Sequence, residues 1–314
     1  MDNVITMSNR NLIKQQMPNV GNISLAKRLG RMVYTKKINR SLGGSLFLFA
    51  LLLMLAALMS APLILIINNA FKPLDELFLF PPRFLVRNPT MSNFSDLAVL
   101  MQGTWVPFSR YALNTVIITG FGTTGHLFIA SMAAYPLAKC KFRGKSLLFS
   151  MVVLSLMFSG EVTAIPNYMI ITALRMNNTY LAIIVPAFAA SLGLYLMRQF
   201  MTQIPDSMVE SARIDGASEF KIYSTIVMPN VKPAWLTVII LMFQTLWGTT
   251  GGVFLRSEQL KPLTFALGQI VGGGFARAGA GAAVALLMMI PPILFFVINQ
   301  ARIMETMATS GMKD

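Results

Sequence analysis

Few side chains in this chain of 314 residues are equipped for covalent chemistry. A single cysteine, Cys140, rules out a disulfide within the sequence, and a single histidine, His126, removes most metal-site and histidine-base chemistry. Gly144-Lys145-Ser146 has the closing residues of a phosphate-binding loop. That loop needs a glycine five positions before Gly144, and Lys139 stands there. No acid–histidine pair and no zinc-ligand spacing occurs, so the sequence offers no catalytic set. What remains is a sparse group of polar and aromatic side chains inside apolar runs: Glu161, then Asn167 and Tyr168 after Pro166, and later Gln244 and Trp247. A carboxylate inside a bilayer is costly unless it meets a cavity or a partner. Pro166 and Asn167 suggest a helix already ending, which puts Glu161 near a mouth. Each of these residues also fits plain packing or interface.

The elements that must position them belong in a bilayer. Hydrophobic residues make up 55% of the chain and charged ones 12%, where a soluble domain carries about a quarter. The net charge of +14 does not come from an aromatic-interleaved patch, which argues against nucleic acid. Basic residues sit instead beside the ends of apolar runs, the topology signal of membrane proteins. The 23 methionines are scattered along those runs and suit gap-filling better than metal binding.

The expected fold is all-α, with six transmembrane helices at about 41–70, 111–138, 146–171, 180–197, 233–255 and 281–301, after a basic tail at 1–40. The first run is too long for the core of a secretory signal. Segment 71–110, rich in proline, reads as a structured outer loop. Gly120, Gly122 and Gly125 suit close helix packing. Gly272-Gly273-Gly274 suggests a mobile or re-entrant connection before the last span, and Pro291-Pro292 a kink within it. Eight basic residues in the tail, the group Lys139, Lys141, Arg143 and Lys145, and then Arg198, Arg213, Lys221 and Lys232 fall on one side. The positive-inside rule makes that side the cytoplasm, with both termini and segment 204–232.

Segment 204–232 is the anomaly, a polar, helix-forming island between two long apolar runs. Ser207 with Glu210 three residues on reads as a capping box. Gly216 can close the first helix in a left-handed conformation, and Ala217-Ser218 opens a second that reaches about Val227. Pro229 biases Met228 away from helical angles, and Pro233 suits the first turn of the next span. The expected result is a knuckle of two short helices.

Glu210-Ser211-Ala212, three residues, Gly216, nine residues, then Ile226-Val227-Met228-Pro229 resembles the coupling loop of the permeases of ATP-driven (ABC) importers. That loop is usually written E-A-A, three residues, G, nine residues, I-x-L-P; Ser211 and Met228 depart from it conservatively in size. The Asp215-Gly216-Ala217-Ser218 continuation is similar to the carbohydrate-uptake, maltose-type branch. The likeness in layout runs roughly from Met32 to Asp314, its specific part about twenty residues.

The resemblance implies a bacterial plasma-membrane subunit that binds no cofactor and pairs with a second, unlike permease. It further implies two cytoplasmic ATPase subunits that use ATP and Mg, and an extracytoplasmic solute-binding protein that docks near the outer loops. Glu210, Arg213 and Asp215 would present charge to a cleft on an ATPase, Ser211 and Ala212 would let the helix sit close, and Gly216 would set the corner. Ile226 and Pro229 would hold the knuckle to the fifth span. The implied substrate is a sugar, with Glu161, Asn167, Tyr168, Gln244 and Trp247 as candidates for its path, because sugars are held by hydrogen bonds and aromatic faces. A non-sugar solute is the alternative. A secondary transporter fits less well, since the sequence shows one candidate intramembrane acid and no clear internal repeat.

Overall fold

A computed structural model of the protein describes residues 42–103 and 106–310; the basic tail 1–40 and the residues after 310 lie outside it. Among the described residues all regular structure is helical. The chain divides into two units, Met1–Ala61 and Pro62–Asp314. Helix α1, Leu42–Phe71, is an uncharged apolar helix that begins in the first unit and continues into the second.

The second unit carries short helices α2 (Leu74–Leu77) and α3 (Ser92–Gln102), the long α4 (Phe108–Lys139), and then α5 (Lys145–Ser155) and α6 (Gly160–Ala173). Next come α7 (Leu181–Phe188), α8 (Ser191–Thr202), α9 (Asp206–Ile214), α10 (Glu219–Asn230) and α11 (Lys232–Trp247). Helices α12 (Leu263–Val271) and α13 (Ala278–Ser310) complete it. Four helical stretches are long and apolar enough to cross a membrane: Gly43–Phe71, Phe108–Lys139, Leu181–Thr202 and Ala278–Gln300. Two further pairs reach that length together but are bent, α5–α6 by 111° and α10–α11 by 81°.

Several expected boundaries move. The run 146–171 is broken: Ser159 is extended, the chain turns sharply there, and Ser155 Oγ reaches Ser191 Oγ at 2.5 Å. Pro166 does not end the second half, which continues to Ala173, so Glu161 lies in the first turn of α6, where a carboxylate suits the positive end of the helix dipole. The fourth span continues past Arg198 to Thr202, and the half-buried Arg198 guanidinium donates to the Leu137 carbonyl and lies over the Phe149 ring. The fifth ends at Trp247, and the chain then turns through Gly251 and Gly252, both at positive φ. The connection after it contains α12, whose Leu267 and Ile270 are buried with Leu97 of α3 and Ala283 and Val284 of α13, while Gly272-Gly273-Gly274 is exposed. Helix α13 runs on through Pro291-Pro292.

Helix α4 is the rod on which this unit is assembled, packed by α7, α8, α11 and α12. Its exposed face is apolar, with Leu113, Val116, Phe121 and Phe128. Its buried face carries Tyr111, Asn114, Thr115, Gly122, His126, Ser131, Tyr135 and Lys139. A Cβ on Gly122 would come within 2.4 Å of Leu246, and one on Gly125 within 2.3 Å of the Phe188 ring, so both glycines are where neighbours seat. At the Phe108 end, Tyr111 donates to Glu258 and Asn114 donates to the carbonyls of Gln259 and Lys261. Asn114 also accepts from Tyr180, and Thr115 accepts from the Leu263 backbone N–H.

Midway, His126 is buried with Nδ1 3.3 Å from the Phe188 carbonyl, beside the break between α7 and α8. The imidazole fits because Gly193 has no side chain; a Cβ there would lie 2.0 Å from Nε2. Overpacking of this kind costs about 1–3 kcal/mol. Gly193→Val therefore lowers the thermal unfolding midpoint of the protein in nanodiscs. His126→Ala in the same chain recovers part of the loss, a non-additivity expected of side chains in contact.

Candidate functional site

The polar island folds into α9 and α10, and its position is fixed by what it bonds to. Helix α9 starts at Asp206 rather than after Ser207, and the expected capping box is absent: the N-cap is Pro205, with no side-chain cap bond, and Ser207 instead accepts through its carbonyl from Ser211 Oγ. The buried Lys139 ammonium at the end of α4 decides that boundary. It donates to the Ile204 carbonyl and to Asp206 Oδ1, the latter at 2.7 Å. This ammonium holds the Asp206 carboxyl below the usual carboxylate range.

The first helix closes as the sequence expects. Gly216 has φ +78°, its N–H donates to the Arg213 carbonyl and that of Ala217 to Ala212, the paired bonds of a Schellman closure. Ser218 then caps α10 by accepting from the Lys221 N–H at 3.3 Å. Met228 is helical, not extended, despite the following proline. Residues Ile222–Val227 form a π turn in which the Met228 N–H reaches back to Tyr223, and the widened turn accommodates the missing Pro229 donor. The chain bends afterwards, at Val231.

The inner face of the knuckle is locked down. Val209, Ala212, Ile222, Tyr223 and Val227 are buried with Ala134 and Tyr135 of α4, Met197 and Met201 of α8, and Ala234 and Val238 of α11. Polar bonds cross the same interface. Tyr135 donates to Glu219 at 2.6 Å, Arg213 donates to both oxygens of that carboxylate at 2.7 and 3.2 Å, and the hydroxyls of Tyr223 and Ser131 lie 2.7 Å apart. Glu219 thus ties α10 to α4 and to α9 at once. The outer face carries Glu210, Ser211 and Asp215, with Ile214 87% and Phe220 64% exposed.

The expected residues divide accordingly. Glu210, Ser211 and Asp215 are outward, Arg213 is half-turned inward onto Glu219, and Ala212 is buried against the protein itself, so it cannot ease close approach of an outside partner. Ile226 is half-buried against the core while Pro229 is exposed; the polar tie to α11 is the Trp235 indole donating to the Met228 carbonyl at 3.2 Å. Sequence reasoning missed Tyr135, Lys139, Asp206 and Glu219. Lys139 was legible only as a topology marker, and nothing local pairs it with a carboxylate 67 residues away.

The candidates for a solute path are not gathered in one place. Glu161 is exposed, Tyr168 accepts from Arg256 and faces the Phe254 ring, and Asn167 beside it is half-buried. Trp247 stacks on Phe243 and donates to the Met288 carbonyl, a packing role against α13, while Gln244 is exposed on α11. Among the described residues no group of histidine, cysteine and acids is placed to hold a metal.

Membrane-length helices around one rod, with a braced pair of short helices packed against it, are the architecture of a multi-span membrane protein. The chain belongs to the family of binding-protein-dependent transport system inner membrane components, whose model matches residues 45–305. It is similar to the arabinooligosaccharides transport system permease protein AraQ of Bacillus subtilis (strain 168), 27% identical, covering 83% of this chain and 93% of that one. Similar too is the sn-glycerol-3-phosphate transport system permease protein UgpE of Escherichia coli O1:K1 / APEC, 27% identical over 82% and 93%. In fold it matches a chain of a crystal structure of a bacterial ABC transporter involved in the import of the acidic polysaccharide alginate, with TM-score 0.69 and 21% identity, over 91% of this chain and 99% of that one. It is thus a multi-pass membrane protein and a transporter subunit, not an enzyme.

The lock predicts an order among substitutions. Lys139→Met strands the Ile204 carbonyl, and a hydrogen bond to a charged group is worth about 1.5–3 kcal/mol. Amides of α9 then exchange with deuterium roughly ten- to a hundredfold faster. Asp206→Asn, which keeps an acceptor for Lys139 at an exposed position, produces a clearly smaller change.

Proposed function

We propose that this chain is one permease subunit of an ATP-driven importer for oligosaccharides in a bacterial plasma membrane. Both termini and the α9–α10 knuckle face the cytoplasm, as the basic residues around Lys139 to Lys145 and on the knuckle favour. A second, unlike permease shares the pore, two cytoplasmic ATPase subunits use ATP and Mg, and an extracytoplasmic solute-binding protein delivers the sugar. The chain itself binds no cofactor. The observation that carries this reading is the two-faced knuckle: an inner face bonded to α4, α8 and α11, and an outer face that leaves Ile214, Phe220, Glu210 and Asp215 available to a partner. ATPase closure pushes on that outer face, and the braced inner face passes the displacement to the spans. Oligosaccharide is favoured over other solutes because the relative AraQ carries arabinooligosaccharides. A phosphorylated polyol is the second reading, favoured by the likeness to UgpE.

Gly216 isolates the lever for testing. A Cβ there meets nothing within 4 Å in this chain, so within the subunit Gly216→Ala or Gly216→Val acts chiefly through the left-handed backbone at φ +78°. Left-handed angles cost a non-glycine residue about 1–2 kcal/mol. Either variant still inserts and still binds its ATPases, but sugar uptake into proteoliposomes falls about five- to thirtyfold relative to ATP hydrolysed. Uptake per ATP equal to that of the unsubstituted protein refutes the lever. Stimulation of ATP hydrolysis across a panel of neutral oligosaccharides, acidic oligosaccharides and glycerol phosphate, each with the binding protein present, separates the two substrate readings.

A further inference from the structure

The segment joining α1 to α3 holds an apolar tip on a polar frame. Lys72, Glu76 and Asn93 are all buried, which is unusual for such side chains in a short surface loop. Lys72 donates to Asn69 Oδ1 at 3.1 Å and to the Arg83 carbonyl at 2.6 Å. Glu76 accepts from the Arg87 N–H at 3.0 Å, and Asn93 donates to the carbonyls of Ala70 and Lys72. The Val86 N–H donates to Asn68 Oδ1 at 3.3 Å. These bonds do not bury the residues they enclose. Phe80 is 93% exposed, Leu85 67% and Phe84 51%.

The frame also fixes the height of the tip. The uncharged apolar run of α1 gives way to Asn68-Asn69 in its last turn, and those two side chains are bonded to Val86 and Lys72. The tip is therefore pinned beside the end of the apolar run of α1, the end of a candidate membrane span. Aromatic side chains at that level sit among lipid headgroups, and exposed Arg83 and Arg87 beside them complement headgroup phosphates. An exposed apolar cluster of this kind in water would be a liability; at a bilayer boundary it is an anchor.

We propose that residues 80–85 form a foot seated in the headgroup–acyl boundary of the leaflet where α1 ends, fixing the depth of the α1–α3 connection. The proposal requires only that the chain spans a membrane, so it stands or falls separately from the importer reading. The test uses the full chain with its partner subunits in nanodiscs of phosphatidylethanolamine and phosphatidylglycerol. Cys140→Ser provides the background for single spin labels at Phe80→Cys, Phe84→Cys and, as a control on exposed Asp75 of α2, Asp75→Cys. Labels at 80 and 84 are expected to be several-fold more accessible to oxygen than to a water-soluble nickel chelate, with the opposite ratio at 75. In a separate variant, Phe80→Trp is expected to lose fluorescence when acyl chains carry bromine. Access to the nickel chelate at 80 and 84, shielding from both reagents, or shielding that arises only when the solute-binding protein is added overturns the proposal, the last two by assigning the tip to a protein partner.

Discussion

The structure depends on satisfying the polar groups of one helix in surroundings that offer little water. Helix α4 buries a stripe that includes Asn114, His126, Ser131, Tyr135 and Lys139, and turns Leu113, Val116, Phe121 and Phe128 outward. Its amphipathicity is the reverse of a soluble helix. In water the apolar stripe drives packing; in lipid that stripe gains nothing by leaving the acyl chains, and unsatisfied polar atoms supply the specificity instead. Each end of α4 is accordingly tied by directional bonds: to the Glu258 carboxylate, backbone groups of the 259–263 segment and Tyr180 at one end, and to Ile204, Asp206 and Glu219 at the other.

This arrangement decides which spans the knuckle can move. Expectation from sequence attached it to the fifth span through Ile226 and Pro229, its neighbours along the chain. The structure does connect it there, through apolar contact and the Trp235 indole, but the ionic and short polar bonds lead to α4. Because Tyr135 and Arg213 share the Glu219 carboxylate, α9 cannot rotate without disturbing α10. In the proposed importer, a push on the knuckle would be delivered first to α4, on which Leu246 and Phe188 of the neighbouring helices seat at Gly122 and Gly125.

How much of this could be read beforehand follows from the range of each signal. The Gly216 corner was legible because a left-handed closure is local, dictated by one residue without a Cβ. The long helices were legible from composition, although the breaks at Ser159 and between α7 and α8 were not, since hydropathy averages over them. Pro229 misled because its usual effect on the preceding residue is absorbed by a π turn, a backbone solution that no spacing announces. The capping box misled for a different reason. Ser207 and Glu210 have the right spacing, but the helix starts two residues earlier, with Pro205 as N-cap, where Lys139 bonds to Ile204 and Asp206 from outside the segment. The lock itself pairs residues tens of positions apart, and only the folded chain brings them together.

The same distinction between local and distant constraint explains the shape of the outer face. Ile214 precedes the corner and Phe220 follows it, and both are held away from the core although either would gain by burial. What prevents them from turning in is the inner face, already filled by Val209, Ala212, Ile222 and Tyr223, together with the hydrogen-bonded closure at Gly216. The angle between α9 and α10 is set by those bonds together with the Arg213–Glu219 ion pair and the shared core, and no neighbour crowds the corner at Gly216. Two large apolar side chains presented by backbone geometry, over a base that cannot rearrange to cover them, are a surface preorganised for contact. For the proposed ATPase partner, preorganisation of this kind would spare the cost of ordering the knuckle on docking, and would keep a displacement from dissipating in local rearrangement.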